Sequence, residues 1–160
     1  MKNELIPTVE IYTDGSCLNN PGAGGYGIVL IWGNHRKEIS GGFQHTTNNR
    51  MEIFAVIMAL RQLKRKARVN LYTDSQYVVN AMTKGWAKKW QKNNWCRNAQ
   101  EKAKNADLWQ ELLGLSEQHQ VNFIWVRGHS GNCENEKCDR LAFTAAQGEN
   151  LAIDVNYLTI

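Results

Sequence analysis

Between Thr8 and Asp14 the side chains alternate polar and apolar (Thr-Val-Glu-Ile-Tyr-Thr-Asp) and are rich in β-formers, a pattern that predicts a strand with one buried face. The stretch Gly15–Gly25 is dense in Gly, Asn and Pro and predicts a loop. Tyr26–Trp32 and Lys37–Gln44 predict two further strands, joined at Gly33-Asn34 as a hairpin. At Asn49 the period changes. Asn49-x-x-Glu52 fits a helix N-cap with a reciprocal glutamate, and the helix should run to about Lys66. It is apolar nearly all round from Ile53 to Leu60, which predicts deep burial, and its basic end (Arg61, Lys64, Arg65, Lys66) suits the helix dipole. Val69–Asp74 predicts a strand, Ser75 the cap of a helix through Met82, Ala106–Gln118 a helix and Val121–Val126 a last strand. After a glycine-flanked loop over 127–132, Asn132 should cap a helix reaching about Gln147; the tail over 148–160 has no clear pattern. The opening meander implies antiparallel pairing, and the strand–helix–strand stretches imply parallel pairing by right-handed crossover. The expectation is an α/β fold: a mixed sheet with helices on its faces, in one domain spanning residues 1–160.

Composition narrows the class. Of the 160 residues, 42% are hydrophobic and 21% charged, a globular balance. The N-terminus has no apolar signal core, and the longest strongly apolar run, Ile53–Leu60, is too short to span a bilayer, so a soluble cytoplasmic protein is expected. The cysteines Cys17, Cys96, Cys133 and Cys138 form no C-x-x-C pair and are expected to be reduced. The net charge of +4 is unevenly placed. Residues 84–104 hold seven basic side chains against one acidic, a net +6 that leaves −2 on the rest. Such a patch suits a polyanion, although a solvated lysine-rich helix has the same composition.

Two segments end alike: Ile11-Tyr12-Thr13-Asp14 and Leu71-Tyr72-Thr73-Asp74. If those strands lie side by side and parallel, both aspartates reach the same rim of the sheet, where open α/β sheets bind ligands. Adjacent carboxylates repel, and a divalent cation relieves that repulsion. Each aspartate also has a plain reading, Asp14 as a turn residue and Asp74 as a helix cap. Glu52 sits in the first turn of its predicted helix, where it also reads as the capping glutamate, and Asp139 one turn or so into the last helix, where an acid is favoured by the dipole; spacing alone does not bring them to the pair.

Six separated blocks resemble the bacterial ribonuclease HI family in order and spacing: Thr-Asp-Gly-Ser-Cys (13–17), Asn-Pro-Gly (20–22), Thr-Thr-Asn-Asn-Arg-Met-Glu (46–52), Thr-Asp-Ser-Gln-Tyr (73–77), Asp-Leu-Trp (107–109) and Gly-His-Ser-Gly…Glu-Asn-Glu-Lys-Cys-Asp (128–139). The resemblance covers about Val9 to Tyr157. It implies the ribonuclease H-like fold, a five-stranded mixed sheet flanked by about five helices. It also implies endonucleolytic hydrolysis of the RNA strand of RNA–DNA hybrids, leaving 5′-phosphate and 3′-hydroxyl ends. Asp14, Glu52, Asp74 and Asp139 match the family's acidic ligands for two Mg²⁺ ions, with Mn²⁺ as a substitute, and His129 its mobile catalytic histidine. Oxygen ligands and paired ions suit in-line phosphodiester displacement.

For the RNA–DNA hybrid partner, the resemblance places Cys17, Asn20, Asn48, Asn49, Ser75 and Gln76 along the minor groove, where 2′-hydroxyls are exposed. Thr47 matches a position that holds a DNA-strand phosphate. The segment 84–104 resembles a basic protrusion. Its Trp86 and Trp90 share a helix face, and Lys88, Lys89 and Lys92 would meet phosphates. At least one of the two tryptophans is also expected to pack the protrusion onto the body. The chain departs from the family pattern at Asn19, Ala23, Lys89, Lys102-Ala103 and Asn132-Cys133, none of them an acidic ligand. Three alternatives are distinguishable: a hybrid-binding module without cleavage, a DNA nuclease, integrase or resolvase sharing the fold, and a zinc protein using His129, Cys133 and Cys138. A monomer without membrane contact is expected.

Overall fold

The computed structural model describes residues 5–158. Five strands form one sheet: β1 (Thr8–Cys17), β2 (Gly22–Trp32), β3 (His35–Thr46), β4 (Arg68–Thr73) and β5 (Gln120–Trp125), in the spatial order β3-β2-β1-β4-β5. The meander β1–β2–β3 is antiparallel, while β4 is parallel to β1 and β5 parallel to β4. Among the described residues six helices accompany them: α1 (Asn48–Arg61), α2 (Gln76–Thr83), α3 (Trp86–Lys92), α4 (Ala106–Glu117), α5 (Cys133–Ala146) and the single turn α6 (Val155–Leu158). The mixed α/β sheet expected from the patterning is therefore the one observed.

The strands alternate as the sequence pattern requires. Val9, Ile11 and Thr13 of β1 and Val69, Leu71 and Thr73 of β4 turn to the buried side, where α1 and α4 pack. Helix α1 is the centre of the core. Ile53, Ala55, Val56, Ile57, Ala59 and Leu60 are all buried, each large apolar side chain contributing about 1.5–3 kcal/mol. Trp109 of α4 is wholly buried, and its indole N–H donates to the Tyr77 hydroxyl at 3.3 Å. Helix α5 covers β1, β2 and β3 from the other side.

Four local expectations are corrected. The stretch 15–25 is mostly strand, with the reversal confined to residues 18–21. Its glycines serve close helix–sheet packing: a Cβ on Gly25 would lie 2.2 Å from the Ala142 carbonyl oxygen, one on Gly27 2.3 Å from that of Cys138, and one on Gly15 2.4 Å from the α1 backbone at Glu52. The cap of α1 is Thr47, whose hydroxyl accepts from Arg50 N–H at 3.2 Å, so Glu52 is released from a capping role. The helix ends at Arg61, leaving Lys64, Arg65 and Lys66 in the connection to β4. The tail is ordered through Ala152, which bridges to Phe43 beside β3, and Asp154, which pairs with Arg50. Helix α3 occupies only 86–92 of the basic segment. Gly33, at φ +56°, makes the β2–β3 hairpin as expected.

Candidate active site

The β1–β4 register sets Thr13 opposite Thr73, so the next residues, Asp14 still within β1 and Asp74 just past the end of β4, come side by side where the parallel pairing ends. Glu52 joins them from α1, because Gly15 has no side chain to hold that helix away. Ligand oxygens of Asp14, Glu52 and Asp74 all lie within 4.8 Å of one another, the one group of its kind among the described residues. Asp139 arrives from the opposite side on α5, whose close seating on β1 and β2 depends on Gly27. Its carboxyl lies near enough to Asp14 to push that group up further. The structure thus brings together all four carboxylates, including the two that spacing alone did not connect.

The electrostatics are those of an uncompensated acidic cluster. Asp14 is 3% exposed, and burial, followed by the charges of Glu52 and Asp74, pushes its carboxyl up to about 11. Glu52 is raised well above the usual carboxylate range, first by burial and then by Asp74. The Gly15 N–H donates to Asp14 Oδ1 at 3.0 Å, while Glu52 Oε2 is buried without a hydrogen-bond partner. No cationic side chain is among the causes acting on either carboxyl. Oxygen donors with an orphaned buried lone pair and mutual repulsion fit a hard divalent cation.

Residues predicted to face a substrate surround this rim. The Cys17 N–H donates to Asn48 Oδ1 at 2.7 Å, and the Asn48 N–H to Asn20 Oδ1 at 3.2 Å, so the ends of β1, the 18–21 turn and α1 are tied together. Burial raises the Cys17 thiol to about 11 and keeps it protonated. Ser75 caps α2, accepting from Val78 N–H at 3.2 Å, and Gln76 follows it exposed. Thr47 and Asn49 open onto a cavity of about 1020 Å³ that also receives Asn20, Lys102, Lys104, Asn105 and Tyr157. Lys102 and Lys104 belong to the basic segment 84–104 that the composition marks out for a polyanion, whereas Asn105 and Tyr157 carry no signal in the sequence.

In the basic segment Lys88, Lys89 and Lys92 are exposed. Trp86 is 38% exposed, with the Lys84 ammonium 5.6 Å from its ring centre. Trp90 instead leans on Trp109, ring centres 6.1 Å apart, and packs α3 against the body, as expected for one of the pair. His129 is not part of the carboxylate cluster. It stands exposed at φ +55° in the loop after β5, one residue beyond Gly128, which abuts Asp74. A zinc site at His129, Cys133 and Cys138 does not form: the buried Cys138 thiol donates to the Tyr12 carbonyl at 3.2 Å, whereas Cys133 is exposed.

A family model described as RNase H matches residues 7–147. The chain is 61% identical over 155 residues to a ribonuclease H of Rippkaea orientalis (strain PCC 8801 / RF-1), covering 97% of this chain and 95% of that protein. Among solved structures it is similar to LC9-RNase H1, a type 1 RNase H with the type 2 active-site motif. The TM-score is 0.83 at 35% identity, over 93% of this chain and 76% of that one. The fold is also shared with LC11-RNase H1, solved in complex with RNA/DNA hybrid, at a TM-score of 0.68 and 21% identity over 87% of this chain and 96% of that one.

Proposed function

The chain belongs to the ribonuclease H family, and is thereby a metal-dependent endonucleolytic hydrolase of the RNA strand of RNA–DNA hybrids; we propose that Asp14, Glu52, Asp74 and Asp139 hold its catalytic metal. The observation that carries this assignment is the convergence of three carboxylates within 4.8 Å, with Asp139 near Asp14. The physiological ion is Mg²⁺, two per working site, with Mn²⁺ able to substitute. When bound, such ions activate the attacking water and relieve charge on the departing 3′-oxygen, leaving 5′-phosphate and 3′-hydroxyl ends.

The chain's own groups do the remaining work. Asp14, held within β1, and Asp74, just past the end of β4, set the spacing of the site, and Glu52 and Asp139 close it from two helices on opposite sides of the sheet. His129, exposed on its loop, takes or delivers a proton at the scissile phosphate. Asn20, Asn48, Asn49, Ser75 and Gln76, with the Cys17 thiol, offer short polar groups to the minor groove. Asn48 accepts from the Cys17 N–H through Oδ1, which leaves its amide NH₂ for a 2′-hydroxyl. The Thr47 hydroxyl accepts within its cap and keeps its proton for a DNA-strand phosphate, with Lys102 and Lys104 around the same cavity. Lys88, Lys89 and Lys92 hold further phosphates, while Trp86 and the outer edge of Trp90 face the duplex.

The working unit is a single domain over residues 1–160, with a protrusion at 84–104, acting as a monomer in the cytoplasm. No helix among the described residues is long and apolar enough to cross a membrane. The test is cleavage of an end-labelled RNA strand as hybrid, double-stranded RNA and single-stranded RNA, each with Mg²⁺ and with EDTA, beside Asp14→Asn. Mg²⁺-dependent cutting of the hybrid alone, abolished in the variant, is expected. Undiminished cutting by Asp14→Asn would overturn the ligand assignment, and hybrid binding without cleavage would leave only a binding module.

A further inference from the structure

Asp74 lies just beyond the end of β4, where a strand no longer dictates its position. Three contacts replace that constraint. The Trp125 indole N–H donates to the Asp74 backbone carbonyl at 3.1 Å. The Val126 N–H donates to the Thr73 carbonyl at 2.9 Å, so the β4–β5 ladder continues one step past Trp125. The Ser75 N–H donates to Thr73 Oγ1 at 3.1 Å, turning the chain into α2 directly after Asp74. The carboxylate is bounded as well: a Cβ on Gly128 would lie 2.8 Å from Asp74 Oδ2.

Trp125 is an odd residue to find at this strand end if packing were its purpose, since 44% of it is exposed. What it does make is a directed hydrogen bond to the peptide of an acidic residue in the cluster. Gly128 is equally specific. The atom its absent side chain would meet is the mobile end of Asp74, so an alanine there is accommodated by swinging the carboxylate aside. That swing costs an unoccupied site little, but it moves a ligand oxygen out of the shared 4.8 Å space.

We propose that Trp125 and Gly128 are positioning residues for Asp74, the first holding its backbone and the second reserving the space its carboxylate occupies when a divalent cation is bound. This rests on the assignment of Asp74 as a metal ligand. It also gives the loop carrying His129 a physical link to the metal site, because Trp125 and Gly128 flank the start of that loop and both touch Asp74. Groups that orient metal ligands typically change metal affinity by about 10–100-fold when lost. A bond to the backbone rather than to the ligating oxygen falls at or below the lower end.

The experiment is Mn²⁺ titration of substrate-free protein, read by the electron paramagnetic resonance of free and bound Mn²⁺, with thermal unfolding in EDTA as the control for folding. Trp125→Phe is expected to weaken Mn²⁺ binding about three- to tenfold and Gly128→Ala about tenfold or more, each with the EDTA Tm of the wild type. Wild-type Mn²⁺ affinity in both variants, while Asp74→Asn has lost binding, overturns the positioning role and leaves the ligand assignment intact. Unchanged binding in Asp74→Asn removes the ligand assignment and the inference with it. Loss of affinity only in step with a fall in EDTA Tm also overturns it, since that is mere packing. If Gly128→Ala fails to fold, Trp125→Phe decides alone.

Discussion

Asp14→Asn should make the metal-free protein more stable while destroying its activity. Asp14 is nearly inaccessible and shares a 4.8 Å space with Glu52 and Asp74. Two unit charges at that separation repel by roughly 3.5 kcal/mol at an effective dielectric constant of about 20. That repulsion and burial, which push the Asp14 carboxyl up to about 11, are met near pH 7 by taking up a proton that the unfolded chain does not hold, and asparagine, which needs none, recovers about 2 kcal/mol of that cost. Asparagine is close to isosteric and still accepts the Gly15 N–H through its amide oxygen, so little is lost in exchange. For a chain of this size that corresponds to a rise in Tm of roughly 4–8 °C in EDTA near pH 7. Mg²⁺ should then reverse the order. A cation at a hundred times its Kd stabilises the wild type by about 2.7 kcal/mol, and the variant, lacking a ligand, gains less. Thermal unfolding followed by circular dichroism, in EDTA and across Mg²⁺ concentrations, measures both halves. An EDTA Tm for Asp14→Asn at or below wild type, or equal Mg²⁺ shifts in both proteins, would refute the electrostatic reasoning.

Gly25→Ala should destabilise the fold by about 2–3 kcal/mol in urea unfolding, because its Cβ would press on the α5 backbone at 2.2 Å and that helix must shift bodily. Below pH 6.5 His119 should cost stability. Burial lowers its pKa and its Nδ1 accepts from Ala67 N–H at 3.1 Å. Its contribution is therefore complete above the unfolded value and is lost as pH falls through the depressed one, so the stability difference between wild type and His119→Gln should shrink between pH 7 and pH 5. Replacing Lys88, Lys89 and Lys92 by alanine should weaken hybrid binding and reduce the slope of log affinity against log salt by about 2–3, read by fluorescence anisotropy, with the cleavage rate at saturation retained.

How much of this was legible before folding depends on how far each residue's partner lies along the chain. Strand parity needs only the next residue, so Val9, Ile11 and Thr13 announce their burial, and the matching ends of β1 and β4 turn two aspartates into neighbours once the pairing is parallel. Caps need a few residues, and there the reading slipped. Asn49 and Thr47 are both plausible caps for α1, and the choice falls to Thr47 because Glu52 is drawn into the cluster by the contact at Gly15. Gly15 and Gly25 read as loop because their lack of side chains is meaningful only against helices 36 or more positions away. Arg50 shows the limit. Nothing around it in sequence distinguishes it from a surface arginine, yet it is 1% exposed and forks onto Asp107 and Asp154, 57 and 104 residues distant. Those two bonds order a tail that has no periodicity of its own and bring it to the cavity beside Thr47. The same reasoning explains the acidic set: Asp14 and Asp74 follow from a register, whereas Glu52 and Asp139 depend on how closely two helices approach a sheet, a distance set by glycines rather than by the acids themselves.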